Sequence, residues 1–163
     1  MLLLVALLGI AGCAPRDPLD RQVEARTLAE LQAWIDETRR SVDAELAQEI
    51  DLVFVNLASE TPRFRKPTTP RDMHQRGNAL CMRVHGRPLR EVMIDSYAAA
   101  IQTLTLQNNI DTENLVRLSA VVDTGRADAF ERRLESVRAE ITKRDERIRR
   151  HRERIAQLRQ AES

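Results

Sequence analysis

Aromatic side chains are scarce: Trp34, Tyr97 and three phenylalanines, Phe54, Phe64 and Phe130, are all the 163 residues hold. Glycine is equally rare, with 5 residues, while 31% of the side chains are charged. Strands and their tight turns draw on aromatic, β-branched and glycine residues, so this shortage argues against a β-sandwich or barrel. Beyond residue 12 no apolar run approaches the roughly 20 residues that a helix needs to cross a bilayer. Two cysteines, Cys13 and Cys81, exclude a disulfide-stapled scaffold. What remains is a chain suited to helices that share narrow apolar seams.

The net charge of +1 conceals an alternation along the chain. Residues 14–60 carry 5 basic and 11 acidic side chains, residues 61–90 carry 8 and 1, residues 91–130 carry 2 and 6, and residues 131–163 carry 11 and 7. Blocks of this kind point to pairing within the chain and to solvated faces before they point to a ligand site.

The N-terminus stands apart. Leu2 to Ile10 are uncharged and apolar, followed by Ala11, Gly12 and Cys13. As a helix this run spans about 15 Å, half a bilayer core, which is the size of a signal-peptide apolar region. Ile10-Ala11-Gly12-Cys13 resembles the lipobox of bacterial lipoproteins, although no Lys or Arg precedes the apolar run. The resemblance implies a signal peptide over 1–12, acylation of Cys13 and a mature chain that begins there. In that class an aspartate after the cysteine favours the inner membrane. Ala14 in its place implies the periplasmic face of the outer membrane. Several acyl chains at Cys13 would hold the protein firmly, since each buried CH₂ contributes about 0.8 kcal/mol and a single chain anchors only marginally.

Residues 13–17 read as a lipidated tether, with Pro15 and Pro18 keeping the chain extended. A helical domain is expected over 18–125. Asp17 is placed to cap a helix that starts at Pro18. Leu19, Val23, Leu28, Leu31, Ile35, Val42, Leu46, Ile50, Val53 and Leu57 then recur mostly at spacings of three and four, which predicts one helix to about Ser59, roughly 60 Å long. Three prolines break the chain over 61–70. Three shorter helices are expected next: one over Met73, Gly77, Leu80 and Val84 closed by His85-Gly86, one from Pro88 closed by Asn108-Asn109, and one capped by Asp111 or Thr112 and closed by Gly125.

The last segment, 126–163, has the most regular pattern in the chain. Phe130, Leu134, Val137, Ile141, Arg144, Ile148, His151, Ile155 and Leu158 alternate spacings of four and three. This predicts a charged coiled-coil helix with Arg144 and His151 as polar seam residues, and polar seam residues serve register or partner choice at a cost in stability. The architecture expected is all-α, with long amphipathic helices, a small helical bundle and a C-terminal coiled-coil helix.

Asp72, His74, Cys81 and His85 are the residues of catalytic type that fall close together. A thiolate–imidazole pair would also need an oxyanion site and an orienting group, and neither is legible, so no catalytic set, metal site or cofactor is expected. Cys81, flanked by Leu80, Met82 and Val84, is expected to be buried. Residues 143–154 hold seven basic and three acidic side chains. In a cytosolic protein that density would suggest nucleic acid. Behind a lipobox it suits a solvated coiled-coil surface or contact with an acidic helix, anionic lipid or wall polymer, and pairing with the acidic first helix is one form this could take. The basic stretch around Phe64 reads as a flexible linker that could also meet anionic lipid.

These features predict an outer-membrane lipoprotein that serves as a non-catalytic scaffold or assembly partner. Its expected contacts are the bilayer, through acylated Cys13, and another envelope protein or its own copy, through the C-terminal helix, with no nucleic acid. A pilot lipoprotein of a secretion system and a phage spanin-type lysis lipoprotein are the alternatives.

Overall fold

A computed structural model describes residues 17–59, 69–119 and 127–161, and among them five α-helices and one 3-10 turn make up an all-α fold. The signal stretch, Cys13, Ala14 and Phe64 lie outside the described residues. No helix among the described residues is long and apolar enough to cross a membrane.

The first expected helix is three pieces. Asp17 does cap a turn begun by Pro18, its carboxylate accepting from Leu19 N at 2.9 Å, but that turn is only the 3-10 piece Pro18–Asp20. The chain then runs extended and lies against residues 86–89: Val23 N donates to Arg87 O (2.9 Å), Gly86 N to Val23 O (2.8 Å) and Leu89 N to Arg21 O (2.9 Å). Val23 and Ala25 are buried from this extended segment. Thr27 starts α1, Leu28–Ser41, its hydroxyl accepting from Glu30 N at 3.2 Å while the Glu30 carboxylate takes Arg26 N at 2.7 Å. This is the Ser/Thr-x-x-Glu signature of a helix start. Val42 is extended (φ −120°, ψ 169°) and Asp43 then caps α2, Ala44–Ser59, through Leu46 N at 2.8 Å. The apolar spacing stays in phase across the second break, seven residues from Ile35 to Val42, and slips by a single residue at the first, from Val23 to Leu28, which is why it reads as one helix.

α3, Pro70–Val84, begins at the proline and ends as the sequence leads one to expect, with Gly86 at φ 75°. That left-handed conformation suits glycine and closes the helix. Gly77 allows α3 to approach α1: a β-carbon there would lie 2.1 Å from a Leu28 methyl carbon.

α4 is longer than the sequence predicts. It runs from Leu89 to Ser119 without a stop, 31 residues long, so the two helices expected on either side of Asn108-Asn109 are one. α5, Ala127–Gln160, matches the expected span. The two helices are antiparallel: Arg90 meets Leu158, Tyr97 meets His151, and Asn108 meets Arg144 and Asp145. The last helix therefore packs on α4 and not along the acidic first segment, which it touches through the Arg154–Glu49 pair.

One apolar core joins the 21–27 segment and α1–α3 to the first turns of α4 and the last of α5. Trp34 anchors it, edge-on to Phe54 and donating Nε1–H to Gln22 O at 3.0 Å. The core uses α4 only as far as Tyr97 and α5 only from Ile155 onward. The remaining turns of α4 and α5, about 30 Å of helix at 1.5 Å per residue, continue as a two-helix arm. Among the described residues, Leu134, Ile148 and Asn108 are those of the arm that are buried, each on the seam.

Candidate interaction site

Three groups of side chains hold the arm, two tying it to the body and the third tying its two helices to each other, and each combines charge with burial.

At the base, Arg90 is buried, its side chain 2% exposed. Nη2 lies 2.7 Å from Asp17 Oδ2 and 3.0 Å from Asp20 Oδ1, and Nη1 donates to Leu158 O at 3.0 Å. One guanidinium thus ties the N-terminal turn, the start of α4 and the end of α5. Burial acts against its charge, yet the hydrogen bonds and charges of Asp20 and Asp17 outweigh it, and the pKa is raised. Planar, always charged and rich in donors, arginine suits this junction of two carboxylates and a carbonyl better than lysine.

In the middle, Tyr97 donates to Glu49 Oε1 at 2.5 Å, and Arg154 grips the same carboxylate with Nε at 2.6 Å and Nη2 at 2.7 Å. Such a forked pair holds position as well as charge. Burial, then Glu49, raises the Tyr97 pKa and keeps the phenol a donor. The His151 ring lies against Tyr97, centroids 5.0 Å apart. Burial lowers the His151 pKa from its ordinary 6.5, and Arg147 and Arg150 push in the same direction. The groups around this ring are Tyr97 from α4, Glu49 from α2, and Arg147, Arg150 and Arg154 from α5.

The unfolded chain takes a proton on His151 near the ordinary value, whereas the folded chain resists it, so stability is lost as pH falls below about 6.5. The slope for one group does not exceed about 1.4 kcal/mol per pH unit. Urea melts at pH 7 and pH 5 are expected to show this loss, and His151→Gln to remove its share. An unchanged pH dependence in that variant would refute the assignment.

Farther out, Arg144 Nη2 pairs with Asp111 Oδ2 at 2.5 Å and Nη1 donates to Asn108 Oδ1 at 3.1 Å, while Asn108 Nδ2 donates to Asp145 at 2.7 Å. Arg144 and His151, expected to specify a partner helix, both face α4 of their own chain. Asn108 and Asp111, which complete this network, carry the sequence signature of a helix stop and a cap. Their 104–108–111–115–118 spacing of four, three, four and three continues a seam opposite α5 and was the signal available.

Between α2 and α5 lies an open groove of about 850 Å³. Asp43, Glu45 and Gln48 stand on the α2 wall, Arg147, Arg150 and Arg154 on the α5 wall, with Tyr97, His151 and Leu52 also lining it.

The Cys81 region is arranged differently from a thiolate–imidazole pair. Cys81 is buried, and burial followed by the Glu30 charge raises its pKa, which disfavours the thiolate. The His85 ring is engaged elsewhere, Nδ1 accepting from Ala25 N at 3.2 Å. The side chains of Asp72 and His74 lie outside the described residues. Among the described residues no group of three or more metal-ligating side chains comes together.

Comparison with models of known protein families, with curated proteins and with solved structures finds no match.

Proposed function

We propose that this chain is a lipid-anchored scaffold of the bacterial envelope: Cys13 is acylated, the body sits at the periplasmic face of the outer membrane, and the α4–α5 arm presents helical surface to another envelope protein or to a second copy. The arm carries this reading. Two helices leave the apolar core and continue for about 30 Å, held in register by specific polar contacts. The outer face of α4 carries mostly uncharged polar residues with Leu106, Ile110 and Val116 exposed among them, and that of α5 is mostly charged. Along α5 those charges pair locally, Lys143 with Glu140 and Arg149 with Glu146 and Glu153. Exposed pairs of this kind add little to stability and chiefly keep the surface solvated. Asp17 lies four positions after Cys13 in the chain, a reach of roughly 14 Å when extended. An acylated Cys13 would therefore hold the Arg90 junction close to the lipid headgroups and leave the arm as the element with reach.

The test combines location with contact. Cys13→Ala is expected to move the protein from the membrane to the soluble fraction with its helical content unchanged. A photoreactive residue at exposed Arg138 in native membranes is expected to give one discrete adduct, lost in the Cys13→Ala background. Membrane retention of Cys13→Ala would overturn the anchor, and the absence of any adduct from arm positions would overturn the role of the arm.

A further inference from the structure

The α2–α5 groove has an asymmetry that none of the intrachain contacts uses. On its α2 wall Glu45 has no ion pair among the described residues, and Asp43 is exposed beside it, engaged only in capping. On its α5 wall Arg147 likewise has no ion pair among the described residues, and Arg150 has only Glu146, at 3.8 Å. Glu49 and Arg154, at the meeting of the two walls, neutralise each other. The groove thus carries one acidic and one basic patch with a neutral floor between them. Leu52, in the groove, is 62% exposed, and Val55, one turn along the same face, is 64% exposed.

A surface with two patches of opposite sign is its own electrostatic complement. A two-fold axis lying in the interface and bisecting the line between the patches sets the acidic patch of each copy on the basic patch of the other, so both contacts form at once. A purely acidic or purely basic partner would match one patch and be repelled by the other. Leu52 and Val55 of both copies would supply the apolar centre that an interface needs inside its polar rim.

We infer that the α2–α5 groove is a self-association surface and that its occupant is the same groove of a second copy of this chain. This deepens the scaffold reading, of which it is the self-assembly form. The contact is symmetric and closes at two copies, leaving both arm tips free.

The full chain carrying Cys13→Ala separates this inference from the question of anchoring, because association is then read without lipid. Sedimentation is expected to give twice the chain mass. Arg147→Glu with Arg150→Glu makes both patches acidic, and Glu45→Lys with Gln48→Lys makes both basic. Each pair alone is expected to sediment as a monomer with unchanged helical circular dichroism, and an equimolar mixture of the two is expected to restore the dimer. Should either variant unfold, the parent chain decides: its dimer must weaken roughly tenfold or more between about 50 mM and 500 mM salt, as screened charge contacts do. A parent chain that stays monomeric up to about 0.1 mM, two variants that both remain dimeric, a mixture that fails to pair, or a salt-independent dimer would each overturn the inference.

Discussion

Replacing Asp17 and Asp20 together by asparagine is expected to destabilise the protein by about 3–5 kcal/mol, and to do so by more than Arg90→Met does. The ordering follows from which charge is left behind. Asp17 and Asp20 have side chains 42% and 54% exposed, so on losing Arg90 they recover water at modest cost. Arg90 has almost no exposed surface and cannot do the same. The double asparagine variant leaves a cation in a site built for a pair, whereas Arg90→Met leaves an apolar chain of similar length and one underused carbonyl, Leu158 O. Asparagine caps as well as aspartate does, so the 3-10 turn does not confound the comparison. Urea unfolding with circular dichroism measures both variants. If Arg90→Met were the worse of the two, Arg90 would matter for its packed volume more than for its charge. The junction is also where the N-terminal turn is tied to both helices of the arm, so detachment of residues 17–20 is expected in the asparagine variant, read as new proteolytic cleavage near Arg21.

Arg144→Leu is expected to cost about 2 kcal/mol, and the triple change of Asn108, Asp111 and Arg144 to leucine to recover most or all of it. Arg144 lies in the seam with its side chain 14% exposed, facing Asp111 at 23%. Removing Arg144 alone strands the Asp111 carboxylate and the Asn108 carbonyl oxygen against an apolar group. Removing all three replaces a polar layer by packed leucine. Its expected cost is in specificity: the arm loses the layer that fixes how α4 and α5 align. Thermal melts should show recovery in the triple variant, while hydrogen exchange along 104–119 should show faster opening than in the parent. A triple variant no more stable than Arg144→Leu would mean that the polar layer contributes net stability.

The two corrections to the sequence reading share a cause. Hydrophobic spacing reports which side of a segment faces the core, and that survives a change of backbone. Val23 is buried from an extended segment, while Leu31, Ile35, Ile50, Val53 and Leu57 are buried from helices, yet the apolar series that contains them slips only once, between Val23 and Leu28. The breaks are written in polar residues instead, in Thr27 with Glu30 and in Asp43. At Asn108-Asn109 the error runs the other way. Asparagine pairs stop helices when their side chains turn back on their own backbone. Here Asn108 has Arg144 and Asp145 to bond, 36 and 37 residues away, and the tertiary partner overrides the local preference. The ends of α3 and the full span of α5 were legible because glycine, proline and a strict heptad act locally.

The candidate site was legible only in part. Arg144 and His151 stood out as polar residues in an apolar register, but their partners lie on a helix whose continuity was not visible. Arg90 gave no signal at all, since its burial depends on carboxylates 70 and 73 positions earlier. The opposed patches of the groove come from blocks of opposite charge that the composition does show, over 14–60 and 131–163, although the fold and not the sequence sets them on facing walls.

An anchored scaffold requires an acylated Cys13. Isolating the protein from native membranes and determining the mass of its N-terminal peptide tests it directly. The expected peptide begins at Cys13 and carries acyl chains on its thioether-linked glyceride. A peptide that retains residues 1–12, or one with an unmodified Cys13, would contradict the anchored scaffold.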